Sequence, residues 1–405
     1  MRILSISAQK PHSTGSGVYL TELVNALDGL GQEQAVIAGV YPEDRVTLPE
    51  GTEFFPVFFR SGELPFPMAG MSDEMPYESI RYRDMTPEQA GLFRSAFLKS
   101  IRKAAESFRP DLILCHHLYL LTAVVREAFP GQRIFAFCHG TDLRQLQSNP
   151  LLREYILAQI QCLDHVFCLH REQKETVCRC CGLTPERVSV IGSGYNSRVF
   201  RRIPEVPAHE DFHIVFAGKL SEKKGVFSLL RAMDHLPYER DALRLTLAGG
   251  RGAADPEPLM GLVRQCPYPV ALPGNLSQPH LAELLNSCDL FVLPSFYEGL
   301  PLVLAEALAC GAKVLCTDLP GIREWMDENI EGHGVRFLPP PPMLDVDSPD
   351  PAALPAFERN LAQRIQEALS APPSPLPQLG RVSWEGVARA VLRTASLPTS
   401  SVPDR

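Results

Sequence analysis

Residues 289–311 read DLFVLPSFYEGLPLVLAEALACG, and this pattern predicts a strand, a tight turn and a helix. The apolar run Leu290–Leu293 is typical of a strand buried in a parallel sheet. After the turn, the helix is predicted to begin at Pro301, because the missing proline amide costs least at the first helical position. The stretch therefore indicates an α/β fold.

Two carboxylates flank the predicted helix start, since Glu298 and Glu306 are separated by seven residues. At a rise of about 1.5 Å per residue, both would lie near the amide-rich helix N-terminus. The amides of Leu302 and Val303 can hold a phosphate there, and each glutamate can accept hydrogen bonds from a sugar or ribose diol. The alternative is an ordinary amphipathic helix whose glutamates face water.

Length and charge limit the classes of function. The 405 residues suit two domains of about 200 residues each. The formal charge of −8 argues against a general nucleic-acid-binding protein, which needs a net basic face. No run of about 18 apolar residues occurs, so neither a transmembrane helix nor a signal peptide is predicted. We therefore expect a cytoplasmic protein.

The eleven cysteines are interpreted as reduced thiols, because several of them lie inside apolar strand-like runs. Cys178, Cys180 and Cys181, with His165 and His170 nearby, suggest a metal site as the alternative. Their spacing fits no established zinc pattern, so no metal is predicted.

Apolar strand-like runs alternate with helical stretches in both halves of the chain, as in parallel sheets covered by helices. In the first half these runs are RILSISA, AVIAG, DLILCHH, RIFAFCHG, HVFCLH and VSVIGSG, with helices predicted at 91–108 and 151–163. The polar segment RRIPEVPAHEDF (201–212) is interpreted as a linker, after which the alternation restarts.

Three further segments of the first half could contact a ligand, a substrate or a membrane. Gly15, Ser16 and Gly17 precede the first helix and leave room for a ligand, although Ser16 alone could be a helix cap. Residues 60–86 are irregular, and we expect a functional loop rather than part of the core. The basic helix at 91–108 suits either peripheral contact with an anionic membrane or simple packing on the sheet.

The second half opens with FAGKLSEKKGVFSLL, which places Lys219 and Lys224 after a strand. Two lysines at the carboxyl edge of a parallel sheet can neutralise a diphosphate without a metal. The alternative is that Lys223 and Lys224 are solvated loop charges.

These segments together resemble the donor domain of glycosyltransferase family 4, the retaining enzymes with the GT-B fold. The resemblance is carried by VIGSGYNSRVF, AGKLSEKKGV, LAGG and LPGNLSQPHLAELLNSCDLFVLPSFYEGLPLVLAEALACGAKVLCTD. It implies two Rossmann-like parallel-sheet domains that face each other across a cleft. We assign 1–200 to the acceptor-side domain, 201–375 to the donor domain, and 376–405 to a helix returning to the first domain plus a tail.

The resemblance also implies roles for individual residues. Lys219, where the family commonly has arginine, and Lys224 would hold the donor diphosphate. Glu298 would bind the transferred sugar and Glu306 the ribose. The other donor contacts implied are Gly15, Ser16, Gly17, Asn275, Gly299, Leu300, Leu302 and Val303.

The catalytic set implied by the resemblance comprises His139, Glu298 and Lys224. His139 is chosen because it follows a strand in FCHGTD. His116 and His117 end the preceding strand and are the alternatives.

The activity implied is transfer of a glycosyl group from a UDP- or GDP-linked sugar to a hydroxyl, with retention of configuration and no cofactor or metal. The acceptor would be a glycan, a lipid-linked molecule or a small molecule. The alternatives are an epimerase or phosphorylase of the same fold and a non-catalytic protein that binds nucleotide sugars. A dehydrogenase is disfavoured because the first loop lacks the dinucleotide fingerprint.

Overall fold

The computed structural model describes residues 1–72, 75–204, 210–250, 255–298, 300–345, 347–372 and 375–397. The chain divides into two compact units. One unit comprises Met1–Gly194 and the helix from Trp384, and the other comprises Tyr195–Ser383. Each unit is built on its own parallel sheet, so the expected α/β fold class is confirmed.

The first unit contains the strands β1 (Arg2–Ser7), β2 (Glu33–Val40), β3 (Glu53–Phe58), β4 (Ala69–Gly70), β5 (Ile80–Arg81), β6 (Leu112–His116), β7 (Ile134–Phe137), β8 (His165–Cys168) and β9 (Val188–Val190). In the described part of this unit, seven of them form a sheet in the order β3-β2-β1-β6-β7-β8-β9. Every neighbouring pair in it is parallel.

The second unit contains the strands β10 (Phe212–Ala217), β11 (Leu243–Ala248), β12 (Val270–Gly274), β13 (Leu290–Leu293), β14 (Lys313–Thr317), β15 (Arg336–Leu338), β16 (Met343–Asp345) and β17 (Ser348–Pro349). Six of these described strands form a parallel sheet in the order β12-β11-β10-β13-β14-β15.

The helices follow the strands in the alternation that the sequence predicts. They are α1 (Gly15–Gly29), α2 (Pro87–Phe108), α3 (Leu120–Ala128), α4 (Asp142–Ser148), α5 (Arg153–Ile160), α6 (Arg171–Cys181), α7 (Val226–Met233), α8 (Glu257–Gln265), α9 (Gln278–Asn286), α10 (Leu302–Cys310), α11 (Ile322–Asn329), α12 (Leu354–Ser370) and α13 (Trp384–Ser396). None of them, within the described residues, combines the length and apolarity needed to cross a bilayer.

Each of the two large parallel sheets has one place where successive strands stop being added on one side and continue on the other side. In the first unit β1 lies beside β6, and in the second β10 lies beside β13. The connections that follow two such strands leave in opposite directions and open a crevice at the carboxyl edge of the sheet. Ligands of open α/β sheets bind at this position, so the loops after these four strands define where a site can form.

The expectation for residues 60–86 is wrong, because described side chains of this segment enter the core. Leu64, Phe66 and Met68 are buried in the main apolar cluster of the first unit. The Met68 amide donates to the Tyr41 hydroxyl at 3.0 Å, and Gln9 Nε2 donates to the Ala69 carbonyl at 2.7 Å. An irregular backbone hides such burial, since no helical or strand period marks which side chains face inward.

Strand β3 and the start of α2 also differ from the sequence interpretation. The segment EFFPVF was not predicted as a strand, and it contains Pro56, which cannot donate to a sheet ladder. β3 lies at the edge of the sheet, where the backbone groups along one side of the strand have no neighbouring strand to pair with, so a proline is tolerated. Helix α2 begins at Pro87 rather than residue 91, because Thr86 and Gln89 form a reciprocal capping box.

The C-terminal helix α13 packs on α1 within the first unit. The Trp384 and Tyr19 rings meet edge to face, with centroids 4.7 Å apart. Arg133 holds the end of the helix, donating to the Leu397 carbonyl at 2.7 Å. Aromatic contact and carbonyl capping together fix α13 to this sheet layer.

We expect Gly225→Ala to lower the free energy of unfolding of the second unit by at least about 2 kcal/mol. Gly225 has φ of 69°, and a Cβ placed there would stand 1.9 Å from the Pro294 carbonyl oxygen. Denaturant unfolding measures the change. The matched control is Gly261→Ala in α8, where an added Cβ meets nothing within 4 Å. The control should gain about 0.5–1 kcal/mol from helix propensity, and equal effects of the two variants would contradict the prediction.

Candidate active site

The turn after β10 is held in place by the neighbouring strand exit. The Gly218 amide donates to the Ala248 carbonyl at 2.9 Å, and the Leu220 amide donates to the Gly250 carbonyl at 2.9 Å. A Cβ at Gly249 would stand 1.8 Å from the Gly218 carbonyl oxygen, so this approach requires glycine. The turn presents Lys219, whose side chain is exposed at the sheet edge.

Lys224 and Glu298 meet where the loops after β10 and β13 adjoin. Gly225 packs against Pro294, and the Phe296 amide donates to the Lys223 carbonyl at 2.9 Å. These contacts bring Lys224 Nζ to 2.7 Å from Glu298 Oε2. The two residues that the sequence places 74 positions apart therefore form one charged pair at the reversal of strand order.

The Glu298 carboxylate is held from its other side as well. The hydroxyl of buried Ser295 donates to Glu298 Oε1 at 2.7 Å. Lys223, the next lysine along, instead pairs with Asp347 and stays largely exposed. Among the ion pairs of the described residues, Glu298 pairs with Lys224 and not with the adjacent Lys223. Lys223 therefore fits the interpretation of a surface charge.

Helix α10 begins at Leu302, one residue later than predicted. Pro301 is the N-cap residue, with ψ of 102°, so its backbone is extended rather than helical. Leu302 and Val303 form the first helical turn, and Glu306 lies partly buried one turn further on. Leu300 is also partly buried. Gly299 lies outside the described residues.

Asn275 follows β12 at the same edge of the sheet. Its amide group lies against Gly250, where an added Cβ would stand 3.0 Å from Asn275 Oδ1. The side chain is exposed. The second unit thus presents Lys219, Lys224, Glu298 and Asn275 on loops at the carboxyl ends of β10, β12 and β13.

The loop before α1 forms the corresponding place in the first unit. Thr14 caps the helix, since its side chain accepts the Gly17 amide at 3.0 Å. Ser16, which was considered as a cap, instead contacts His117, with 2.8 Å between Ser16 Oγ and His117 Nε2. Gly15, Ser16 and Gly17 form the first turn of α1, so the expectation that they precede the helix is wrong.

Asp142 holds His117 from the other side of the ring. His117 Nδ1 lies 2.7 Å from Asp142 Oδ1, and the amides of Leu118 and His139 donate to Asp142 Oδ2 at 2.7 and 2.9 Å. Asp142 is fully buried. Burial alone would raise its pKa, but the charge and hydrogen bond of His117 hold the pKa of Asp142 below its ordinary value.

His139, the histidine chosen from the sequence, lies beside this network in an aromatic cluster. Its ring centroid is 4.8 Å from that of His117 and 5.2 Å from that of Tyr19. His139 is 7% exposed, and its Nε2 makes no hydrogen bond to any described residue. Burial lowers the pKa of His139 to about 3, with the charge of His117 acting in the same direction.

His116, the other alternative, faces the interior. Its ring stacks on Phe137 with centroids 4.9 Å apart, and neither ring nitrogen bonds to a described residue. Burial lowers the pKa of His116 well below its ordinary value. His117 therefore has a polar partner on each ring nitrogen. His116 and His139 instead pack as aromatic rings.

The cysteine cluster on α6 offers no metal site within the described part of the chain. Cys181 is buried in the core, while Cys178 and Cys180 are partly exposed. No group of three His, Cys, Asp or Glu side chains is arranged there, or elsewhere among the described residues, to hold a metal.

Two family models match this chain in succession. The model for glycosyltransferase family 4 covers residues 13–198, and that for glycosyl transferases group 1 covers residues 200–340. The chain belongs to glycosyltransferase family 4.

Curated relatives of this chain have names that mention inositol 3-phosphate or phosphatidylinositol. A D-inositol 3-phosphate glycosyltransferase of Thermobispora bispora is 30% identical over 36% of this chain and 38% of its own length. A second, from Xylanimonas cellulosilytica, is 27% identical over 55% of this chain and 54% of its own length. The chain thus spans only about half, or less, of these two relatives. The gpi3 subunit of a phosphatidylinositol N-acetylglucosaminyltransferase of Schizosaccharomyces pombe is 24% identical over 82% of this chain and 68% of its own length.

Solved structures share the fold over almost the whole chain. Sucrose-phosphate synthase from Thermosynechococcus elongatus aligns over 96% of this chain and 97% of its own, with 20% identity and a TM-score of 0.63. Anabaena HepE in complex with UDP aligns over 98% and 100%, with 16% identity and a TM-score of 0.62. The family 4 chain therefore has the GT-B fold with two Rossmann-like domains.

The sequence pattern did not single out Asp142, and it favoured His139 over His117. The segment HGTD does contain the aspartate, three residues after His139 and at the first position of α4. A carboxylate at a helix start usually serves as a capping group, which is why its role as a partner of His117 is invisible without coordinates. The adjacent histidines of CHH gave no indication of which ring faces Ser16.

The buried histidines predict a pH dependence of stability in the first unit. The folded pKa of His139 is about 3. Since the unfolded pKa is about 6.5, the unfolded chain binds the extra proton between these values, and stability falls as pH falls through this window. Between pH 7 and 5, His139 alone should cost about 2 kcal/mol in free energy of unfolding.

Denaturant unfolding of His139→Gln at pH 7 and pH 5 tests this dependence. The variant should lose about 2 kcal/mol less than the wild type between the two pH values. Phe137→Leu is the control, because it disturbs the same aromatic cluster without removing a titratable group. An unchanged pH dependence in His139→Gln would contradict the prediction, because it would show that the pKa of His139 does not change on folding.

Proposed function

We propose that this family 4 glycosyltransferase transfers a glycosyl group from a nucleotide-diphosphate sugar to an acceptor hydroxyl, with retention of anomeric configuration and without a metal. The observation that carries the proposal is the Lys224–Glu298 pair at the reversal of strand order in the second unit. The lysine can bind the diphosphate of a donor substrate, and the adjacent glutamate can accept hydrogen bonds from the hydroxyls of the sugar attached to it.

In the proposed complex the two charges take different parts of the donor. Lys224, with Lys219 on the adjacent turn, binds the diphosphate as a point charge. Glu298 accepts hydrogen bonds from the hydroxyls of the transferred sugar, and Ser295 keeps its carboxylate oriented. Glu306, within α10, accepts the ribose hydroxyls.

The first turn of α10 supports the leaving group. The amides of Leu302 and Val303 carry the positive end of the helix dipole, which stabilises negative charge that builds on the departing phosphate. Lys224 adds a full positive charge there, so the task that a metal performs in other transferases falls to side chains and amides. The acceptor attacks through an oxocarbenium-like state on the face from which the diphosphate leaves, and no enzyme carboxylate attacks the sugar.

The nucleotide is proposed to be uridine diphosphate and the acceptor a small polyol or a lipid-linked hydroxyl. HepE, which shares the fold, has been solved with UDP and with UDP-glucose. The names of the relatives point to inositol phosphate and phosphatidylinositol as acceptors of those proteins. These likenesses support the classes of donor and acceptor.

A thermal-shift screen of UDP-, GDP- and ADP-sugars, followed by turnover in the presence of EDTA, tests the proposal. A ligand that binds only the folded state raises the melting temperature. We expect a shift with a UDP-sugar, and a glycosylated product, detected by mass, that forms equally well with the chelator. A shift by no nucleotide sugar would overturn the proposal, and interconverted sugar nucleotide without acceptor would identify an epimerase.

Lys224→Ala should lower turnover at least tenfold while the protein stays folded, because about 1.4 kcal/mol of lost transition-state stabilisation already gives that factor. Lys223→Ala is the matched control, since the neighbouring lysine pairs with Asp347 on the surface. Steady-state kinetics and the circular dichroism spectrum of both variants decide the assignment. Wild-type turnover in folded Lys224→Ala would refute it.

A further inference from the structure

Tyr119 and Asn149 are neighbours in the first unit, and each has a buried polar group without a hydrogen-bond partner among the described residues. These groups are the Tyr119 hydroxyl and the Asn149 Nδ2 group, in residues that are only 2% and 3% exposed. An unpaired polar group in a protein interior lowers stability, so native structures contain few of them. Each one therefore indicates a water molecule, an ion or a ligand that completes its hydrogen bonds.

The Asn149 amide has a fixed orientation. Its Oδ1 accepts the Leu151 amide at 3.0 Å, which identifies the oxygen, so Nδ2 carries the two hydrogens and can only donate. Burial raises the pKa of Tyr119 to about 12, and Asn149 acts against this rise, as expected of a donor near the phenol oxygen. The two side chains are close but do not bond to each other. A third polar group that bonds to both would satisfy them.

Both residues lie on connections that leave the carboxyl edge of the first sheet. Tyr119 is the N-cap residue of α3, which follows β6, and Asn149 is the C-cap residue of α4, which follows β7. β6 is one of the two strands at the reversal of strand order, where ligands of open α/β sheets bind. The unpaired groups thus occur where the topology favours a ligand.

The surroundings of the two groups suit a polyol ring. The Tyr82 ring packs edge to face on the Tyr119 ring, with centroids 4.9 Å apart. Gln145, one turn before Asn149 on α4, donates to the Met71 carbonyl at 3.0 Å and brings the chain around Met71 to this place. Aromatic rings offer apolar faces to the C–H groups of a sugar or cyclitol, while hydroxyl and amide groups bond to its hydroxyls.

The charges near this place disfavour an anionic ligand. Burial raises the pKa of Tyr82, and the charge of Asp142 is among those that act in the same direction. Asp142 is ionised near neutral pH, because its pKa is held below its ordinary value. Lys10, which lies 5.0 Å from the centroid of the nearby Tyr77 ring, is already bonded to Asp44 at 2.6 Å. A phosphate bound here would meet the charge of Asp142, while the nearby cation already has an anionic partner.

We propose that the Tyr119 hydroxyl and the Asn149 amino group together bind one hydroxyl of a neutral polyol, a sugar or a cyclitol. The ligand oxygen accepts a hydrogen bond from each group through its two lone pairs. Binding involves residues of the first unit alone, and no covalent bond changes. The inference rests on the proposed function in one respect, which is that this polyol is the acceptor of the glycosyl group.

Titration calorimetry of the full-length protein, without nucleotide, tests the class of ligand. The probes are inositol, glucose, mannose and galactose, with inositol 3-phosphate as the anionic member of the set. At least one neutral probe should bind, and inositol 3-phosphate should bind no more tightly than inositol, because its phosphate meets like charge at this place. Binding of no neutral probe, or a preference of about tenfold for the phosphate, would overturn the proposal.

Tyr119→Phe removes the hydroxyl and keeps the ring. Affinity for the preferred polyol should fall about tenfold, the factor expected for one lost hydrogen bond in a buried site. The melting temperature of the free protein should rise by about 2–4 °C, since an unpaired hydroxyl leaves the interior. The matched control is Tyr268→Phe, because the Tyr268 hydroxyl donates to the Leu236 carbonyl at 2.8 Å. The control should melt at a lower temperature and keep the wild-type affinity for the polyol.

Monodeoxy derivatives of the preferred polyol identify the hydroxyl that is bound. One derivative should bind the wild type at least about tenfold more weakly than its parent does. The same derivative should lose less affinity in Tyr119→Phe, because the two changes remove the same hydrogen bond. A hydroxyl satisfied by ordered water would instead give losses that simply add for every derivative.

A crystal structure of the full-length wild type with the preferred polyol gives a further measurement, which needs no variant. A ligand oxygen should lie within about 3.2 Å of both the Tyr119 hydroxyl and Asn149 Nδ2. Unchanged affinity in Tyr119→Phe, additive losses with every derivative, or a water molecule at this place in the polyol complex would each overturn the proposal. Failure of all nucleotide sugars to bind would refute the proposed function instead, because the polyol measurements contain no nucleotide.

Discussion

The close approach of two chain segments at the reversal of strand order is the constraint on which the candidate site depends. β10 and β13 are neighbours in the sheet but not in the sequence, so their following loops belong to different βα units. Gly225 allows these loops to touch, because any side chain there would collide with the Pro294 carbonyl. The backbone contact, rather than attraction between the charges, sets the distance from Lys224 to Glu298. Even at the surface, where side chains adjust freely, an ion pair contributes only about 0–1 kcal/mol, so this partly solvated pair is not expected to overcome a poor backbone fit by itself.

The first unit uses the same topology with different chemistry. β1 and β6 adjoin at its own reversal of strand order, and their loops bring Ser16 to His117. Here the contact is maintained by hydrogen bonds to a fully buried carboxylate and by a left-handed backbone at the end of β6. A buried carboxylate with three donors is expensive to disturb, since removing a partner leaves a charge without compensation.

The sequence predicted most of the order of strands and helices. It did not predict which side chains contact each other across distant parts of the chain. The strand, turn and helix of residues 289–311 and the lysine turn after β10 were both predicted, because each has a local signature. The start of α1 was placed too late, since Gly15 and Gly17 lie within its first turn. The core role of residues 60–86 was not, since their burial follows no period. The pairing of Lys224 with Glu298 and of His117 with Asp142 joins residues far apart in the chain, and one sequence without coordinates contains no record of such contacts.

The two clusters differ in how easily a ligand could rearrange them. Side-chain exposure is 29% for Lys224 and 11% for Glu298, against 8% for His117 and none for Asp142. A partly solvated pair can exchange partners at little cost, so a diphosphate can take over Lys224 while sugar hydroxyls take over Glu298. The buried pair cannot exchange partners in this way, because removing either partner leaves a buried polar group without a hydrogen bond. We therefore expect a bound donor to rearrange the Lys224–Glu298 pair and to leave the hydrogen bonds of Asp142 within the first unit unchanged.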